Sequence, residues 1–377
     1  MSRPDFDVLI AGGGLSGLTL AAHLAAGPDL SVLVVDDGAA PPDGGWAFWS
    51  AAPGLLDAAV SRSFDRVRVH AAGFSGVLPL GRYRYQAVRR ADLARVVAEL
   101  IGQRLAFEVR RGHVERFGTA GSLAEVAVDG RVIRASWAFD SVSRALAGAR
   151  VDGHLAFTGW EVCCQHDAFD PDVPVLFDFR VPQGAGARFA YVLPYGPRRA
   201  LVELTEFTGA RQRPATTGAE LRRYLAATGP YEVRRTESAV LPLRAARPRR
   251  VSGRVMAIGA SAGLIKASTG YAYQRIQRDC AAIAASLARH GHPLAVPPPH
   301  RRHRLLDALL LAVLDRDPAQ LERAFARLFA GGPAERVLRF LDEDTSRYEE
   351  ARLVANLPPG PYLRAAARHS WSRRHFS

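Results

Sequence analysis

Hydrophobic and polar positions follow two different periods along this chain, and the change of period divides it. Asp5-Phe6-Asp7-Val8-Leu9-Ile10-Ala11 is a short apolar run, after which Leu18, Leu20, Ala21, Ala22 and Leu24 fall on one helical face. A second apolar run, Ser31-Val32-Leu33-Val34-Val35, completes a βαβ pattern. Between Phe107 and Asp140 the period drops to two. Phe107–Arg110, Glu125–Val128 and Val132-Ile133 read as small strands, Asp129-Gly130 as a hairpin turn, and Trp137–Ser141 as a return to parallel sheet. From about Leu155 to Leu243 the alternation predicts mostly antiparallel strands. The clearest pair is Phe189–Pro194 and Ala200–Thr208, joined by the turn Tyr195-Gly196-Pro197-Arg198. On the second of these strands Val202, Leu204 and Glu206 share one face, and Leu201, Glu203 and Thr205 the other. The tail is helical: Leu305–Leu314 is apolar nearly all round, and Leu321, Phe325, Leu328, Phe329, Val337, Leu338, Phe340 and Leu341 recur at helical spacings.

The first β-to-α junction carries Gly12, Gly14 and Gly17, the G-x-G-x-x-G spacing of a dinucleotide-binding turn, with Asp36 about 20 residues on. Gly12 permits the tight turn, Gly14 lets the backbone approach a pyrophosphate, and Gly17 lets helix pack on strand. Leu15 and Ser16 open the helix and offer its unpaired N–H groups to phosphates, while Asp36 can accept from a ribose hydroxyl. The triple glycine close to the start favours FAD over NAD. A second strand-to-turn junction, Arg254–Gly263 with Gly259 and Gly263, leads to Ser268-Thr269-Gly270 ahead of a helix starting near Tyr271, with Ser268 or Thr269 as its N-cap. Thr269 and Gly270 are therefore further cofactor-binding candidates. Arg89 and Arg90 enter a helix where they either meet the cofactor or simply face solvent. In a loop between, Trp46, Phe48 and Trp49 either line an apolar site or belong to the core. The expected fold class is α/β: a Rossmann-type FAD-binding part over 1–150 with inserted strands, an antiparallel substrate layer over 151–245, a return to the FAD-binding part over 246–290, and a helical part over 291–377.

Composition narrows the setting. The chain has 377 residues, 48% of them hydrophobic, enough for a large buried core. The formal charge of +13 is carried by arginine, with Lys266 the single lysine. No zinc spacing, RNP motif or basic heptad accompanies it, so nucleic acid is not an expected partner. Anionic lipid headgroups are the alternative attraction, and a basic-flanked apolar tail helix resting on a membrane suits them. No run reaches the ~18 apolar residues of a spanning helix. Met1–Asp5 leads straight into a strand, unlike a secretory signal. Three cysteines make no disulfide framework, so a cytoplasmic setting is expected. His300 and His303 are close but lack further ligands, and no metal is assigned.

Three carboxylates stand out. Glu203 lies among apolar neighbours, where desolvation raises its pKa and keeps it protonated near neutrality. Glu206 is a candidate helper. Asp178, in Phe177-Asp178-Phe179-Arg180, either pairs with Arg180 or sits beside the reacting end of a substrate.

Taken together, Gly45–Ser50, Phe157–Val162, Leu176–Arg180, Tyr191–Pro194 running to Leu201–Phe207, Ser268–Tyr273 and Phe340–Glu343 resemble the flavin-dependent lycopene cyclases of bacteria, relatives of the plant β-cyclases, nearly end to end. The resemblance implies acid-catalysed cyclisation of the linear ends of lycopene, or of a related carotenoid, to β-ionone rings. It implies reduced FAD, NAD(P)H as external reductant, no net redox change, and peripheral association with the cytoplasmic membrane. The family's catalytic carboxylate maps onto Glu203, and Tyr191 and Tyr271 join the three aromatic residues of Gly45–Ser50 as pocket candidates. Where the plant motif has a second acid, this chain has Leu204, and Gly259–Gly263 departs from the family's Gly-Gly form. A flavin-dependent hydroxylase or prenyl reductase of the same fold is the alternative enzyme, and a carotenoid carrier the non-catalytic one.

Overall fold

The first apolar run folds as β1 (Phe6–Ala11), the central strand of a parallel sheet, where Leu9, Ile10 and Ala11 are fully buried. The computed structural model describes residues 3–39, 43–142, 150–246, 248–298 and 300–375. After β1 come α1 (Leu15–Ala25) and β2 (Val32–Asp36), parallel to β1. The chain then leaves this sheet for β3 (Gly45–Ser50), β4 (Val60–Phe64), β5 (Arg66–Ala71), β6 (Phe74–Pro79) and β7 (Arg84–Arg89). The aromatic segment expected as a loop is thus strand β3. It pairs with β7, which also pairs with β4, in a small antiparallel sheet.

Helix α2 (Arg90–Gly102) returns the chain to β8 (Phe107–Arg111), followed by β9 (Val114–Ala120), β10 (Leu123–Val128) and β11 (Arg131–Asp140). The turn between β10 and β11 is the expected one, with Asp129 and Gly130 both at positive φ, as a tight two-residue hairpin requires. β11 lies parallel to β1 on the side away from β2.

The second layer comprises β12 (Gly153–Cys164), β13 (Val175–Asp178), β14 (Ala187–Gly196), β15 (Arg199–Gly209), α3 (Gly218–Leu225) and β16 (Tyr231–Leu243). Its strand order is β16-β12-β15-β14-β13-β5-β6, so β5 and β6, from residues 66–79, complete a sheet otherwise drawn from 153–243. The return to the parallel sheet is β17 (Val251–Ser252) and β18 (Val255–Ala257), with β18 beside β11. Then follow α4 (Tyr273–His290) and the tail helices α5 (Arg301–Leu314), α6 (Ala319–Ala330), α7 (Ala334–Leu341), α8 (Arg347–Ala355) and α9 (Pro359–His375).

Side-chain period decides what covers each face. In the parallel sheet Val8, Ile10, Val32 and Val34 pack under α1, α2 and α4, while Leu9, Ala11, Leu33 and Val35 pack under the β9–β10 hairpin. In the large sheet Ala190, Val192, Val202 and Leu204 meet Leu221 and Leu225 of α3. Its other face carries Leu155, Phe177, Phe189, Tyr191 and Leu201, and α6 closes one end of it by setting Phe325 4.6 Å from Phe177, ring to ring. Among the described residues, no helix is long and apolar enough to cross a membrane.

Candidate active site

The glycine turn builds a cradle for a phosphate-bearing group. Gly12 has φ +102°, and a Cβ on Gly17 would lie 1.8 Å from the Gly12 carbonyl oxygen, so only glycine allows α1 this close to β1. Gly14 is the N-cap of α1 in extended conformation, with open space before it and no side chain capping the helix. The first-turn N–H groups stay available to an anion. Asp36, at the end of β2, accepts from the Gly13 N–H at 2.5 Å and from the Gly38 N–H at 2.8 Å. Gly259 has φ +64° and abuts Ser16, where a Cβ would meet the hydroxyl at 1.9 Å. Gly263 only ends that turn in a left-handed conformation. Arg90 lies over the Trp46 ring at 5.1 Å, and its Nε is buried without a hydrogen-bond partner among the described residues. Burial lowers its pKa and the Asp36 carboxylate works against that. A helix entrance without a cap, an acid on the neighbouring strand end and an arginine whose buried Nε lacks a partner among the described residues fit a dinucleotide.

From this cradle a cavity of about 490 Å³ runs between the two layers. Leu15, Ser16, Trp46, Arg89 and Arg90 border one end, Thr269, Gly270 and Tyr271 a side, and the large sheet forms the floor. Three rows of that floor follow from strand register: Phe189–Thr205–Phe157–Ala239, Tyr191–Glu203–Gly159–Glu237, and Leu193–Leu201–Glu161–Arg235. The middle row carries two carboxyl groups, with Gly159 between them. Glu203 opens onto the cavity, and its pKa stands well above the ordinary glutamate value: burial is the main cause, and the charge and hydrogen bond of Glu237 add to it. Glu237 in turn is ion-paired with Arg235. Above the floor Tyr85 Oη lies 3.1 Å from Tyr191 Oη and 2.8 Å from Tyr271 Oη. Burial pushes all three phenols well up, so they are neutral hydroxyls. The site is an acid whose burial and carboxylate neighbour favour its protonated form, on an aromatic floor beside a nucleotide cradle.

A family model described as lycopene cyclase protein matches residues 7–367. The chain belongs to the lycopene cyclase family. It is 26% identical over 394 aligned positions to a lycopene beta-cyclase of Pantoea ananas, covering 96% of this chain and 97% of that one. Among solved structures it is similar to a geranylgeranyl bacteriochlorophyll reductase-like protein of Thermoplasma acidophilum, with TM-score 0.64, 14% identity, and 96% and 98% of the two chains covered. It is also similar to PqsL, a probable FAD-dependent monooxygenase of Pseudomonas aeruginosa, with TM-score 0.60, 18% identity, and 84% and 98% covered. The fold is that of the Rossmann-type flavoproteins.

Within this lycopene cyclase fold the other candidates divide. Glu206 does not reach the cavity. It points to the opposite face of β15, accepts from the Gly186 and Ala215 N–H groups at 3.0 and 2.7 Å, and pairs with Arg188 at 3.2 Å. Period two forbids it the face of Glu203. Asp178 is 1% exposed and closes β13 in a pair with Arg180 at 2.7 Å and a hydrogen bond from Tyr224 at 3.1 Å. Burial raises its pKa, but the Arg180 contacts outweigh that and leave it low. Phe48 stacks on Tyr273 at 3.9 Å and Trp49 packs on Tyr271 at 4.5 Å, so both support the cavity wall from behind, whereas Trp46 lines it. Arg89 lines the mouth, 5.3 Å over the Tyr195 ring. Helix α4 begins at Tyr273 with Ala272 as N-cap, so Ser268 and Thr269 do not cap it. They belong instead to a turn closed by the Lys266 N–H to Tyr271 carbonyl bond at 2.9 Å. Glu237, Gly159 and Tyr85 were not among the candidates. Gly159 carried a readable signal, since a glycine inside a strand often marks close approach. Glu237 carried none. His303 lies 3.7 Å from the Glu350 carboxylate, and no group of three or more metal-binding side chains occurs among the described residues.

Proposed function

We propose that this protein is a lycopene β-cyclase that closes the linear ends of lycopene to the β-ionone rings of γ- and β-carotene, with Glu203 as the proton donor and no net redox change. The observation that carries this reading is the Glu203 carboxyl, its pKa raised by burial and by Glu237, on the aromatic floor of a cavity continuous with the nucleotide cradle. The Glu203 carboxyl gives its proton to the terminal alkene, leaving a carboxylate and a tertiary carbocation. The neighbouring double bond attacks that cation and closes the ring, moving the charge to a ring carbon. A proton lost from the adjacent ring carbon returns to a carboxylate, so the product is an isomer of the substrate and the acid is regenerated.

The surroundings serve a cation without trapping it. The faces of Tyr85, Tyr191 and Tyr271 offer cation–π stabilisation of about 0.5–2 kcal/mol each. Phe157, Phe177, Phe189, Leu193 and Leu201 exclude the water that would capture the cation as an alcohol. FAD is the cofactor that fits the cradle, and when bound in its reduced form, with NAD(P)H as external reductant, it supplies negative charge to offset the cation. Gly12, Gly14, Leu15, Ser16, Gly17, Asp36, Arg90 and Gly259 would hold it. A substrate this apolar resides in a bilayer. The basic surface, with Leu305 and Leu363 exposed on the tail helices, suits contact with the cytoplasmic membrane face.

The test is Glu203→Gln expressed in lycopene-producing cells, with pigments separated by chromatography. Cyclised product should fall by roughly 10²–10⁴-fold while FAD stays bound. Cyclisation at the unmutated rate would remove Glu203 from the chemistry. Consumption of one NAD(P)H per product would favour a flavin reductase or hydroxylase instead.

A further inference from the structure

We propose that Glu237 is a positioning residue of this site: it holds the proton on Glu203, and Gly159 is the spacer that lets the two carboxyl groups meet. The inference rests on Glu203 being the proton donor. Glu203 and Glu237 lie on strands that are not neighbours, because β12 runs between β15 and β16 and Gly159 faces both residues in register. Strands spaced 4.7–4.9 Å apart put such positions roughly 9–10 Å from each other, which side chains cross only where nothing stands between them. A Cβ on Gly159 would lie 2.8 Å from Glu203 Cγ, 3.1 Å from Glu203 Oε1 and 3.2 Å from Glu237 Cγ. Any other residue there would push the two arms apart.

The partners fix which member carries the proton. Arg235, on the same strand as Glu237, pairs with it and with Glu161 at 3.4 Å, and Glu161 pairs onward with Arg199, half-exposed at the start of β15. Glu237 is therefore the anion. Glu203 is faced by Glu237 and Arg235 from β16, by Tyr191 from β14, by Tyr85 from β7 and by Tyr271 from the turn before α4. Of these, Arg235 favours ionised Glu203, the phenols are neutral, and Glu237 opposes ionisation. Two carboxylates in contact cannot both ionise readily, so Glu203 keeps its proton to higher pH than a lone buried glutamate would. When Glu203 has donated, the pair carries two negative charges, which makes it the stronger acceptor for the proton that the ring must lose.

The experiment compares pH profiles of cyclisation by the FAD-loaded enzyme for the unmutated protein, Glu237→Gln and Gly159→Ala, with bound flavin as the folding control. Each substitution should move the alkaline limb down by about one pH unit, whatever it does to the amplitude below the limb. A limb that stays in place, whatever happens to the amplitude, would overturn the proposal. A purely structural role would lower activity equally at every pH. Should neither variant fold, the unmutated protein decides. Infrared titration should show a protonated carboxyl band that persists above neutral pH and is missing in Glu203→Gln, and its absence would equally overturn the proposal. If Glu203→Gln itself retains activity, the proton-donor assignment fails; if Glu203→Gln is inactive and the limb is unmoved, only the role of Glu237 fails.

Discussion

Lys266→Met removes the single lysine of the chain, strands the buried Asp307 carboxylate and leaves Glu343 with Arg275 alone. Lys266 is 6% exposed, and its Nζ lies 3.2 Å from Asp307 on α5 and 2.9 Å from Glu343, just past α7. It thereby ties the tail helices to the turn carrying Thr269, Gly270 and Tyr271 at the cavity wall. Burial alone would raise the Glu343 pKa, but Lys266 first and Arg275 next outweigh it and bring it down from 4.5 to about 2. A shift of that size corresponds to roughly 3 kcal/mol of folding stability, shared between the two cations. Breaking a buried pair by deleting one partner typically costs about 3–5 kcal/mol, because the remaining charge is uncompensated. Methionine preserves most of the lysine volume, so lost packing contributes little.

The sign with pH follows from the lowered value. Stability from Glu343 is fully present above its ordinary pKa of 4.5 and is lost as pH falls through about 2. Denaturant unfolding at neutral pH should show the full deficit for Lys266→Met, and the gap to the unmutated protein should narrow as pH falls from about 4.5 toward 2. Adding Asp307→Asn to the variant should restore part of the loss by removing one stranded charge. A deficit under about 0.5 kcal/mol, or one that does not change with pH, would refute the clamp. It would mean that Arg275 and packing hold the tail helices without the lysine.

Gly17→Ala should abolish flavin retention, because its methyl would collide with the Gly12 carbonyl and drive α1 off β1; flavin absorbance of the purified protein reads it directly. Asp178→Asn should lower stability by about 1–3 kcal/mol yet leave cyclisation intact, with the deficit fading in acid because the unmutated carboxylate has a lowered pKa. Glu206→Gln should likewise destabilise, through its two backbone donors and Arg188, and keep its product pattern. Loss of cyclised pigment at full thermal stability in either variant would return that residue to the chemistry.

What was legible in the sequence is what short-range geometry dictates. The glycine fingerprint is a requirement on consecutive backbone atoms, so the tight turn at Gly12, Gly14 and Gly17, with Asp36 at the end of the next strand, could be read from spacing alone. The face of Glu203 was legible because a tight turn fixes the phase of β15 and every second residue follows it. The same alternation already separated Glu206 from Glu203, and the backbone bears this out. The start of α4 was misread because Ser268 and Thr269 are good capping residues locally, whereas backbone bonds between Lys266 and Tyr271 commit them to a separate turn. Phe48 and Trp49 were indistinguishable from pocket residues because an aromatic side chain suits a core and a cavity wall equally.

Glu237 was out of reach for a different reason, and it shows where the chemistry of this site comes from. On β16 it alternates with exposed Thr236 and Ser238 and sits two residues from Arg235, a pattern that reads as the polar face of an edge strand. Nothing nearby marks it as the partner of an acid 34 positions earlier. That partnership exists only once β12 has paired with both β15 and β16, and only because the one residue standing between the two glutamates has no side chain. The place beside Glu203 in sequence is taken by Leu204, but it faces the α3 side of the sheet, so an acid there would have pointed away from the cavity. A second carboxylate able to act on Glu203 has to come across the strands rather than along one. The register of this sheet supplies it.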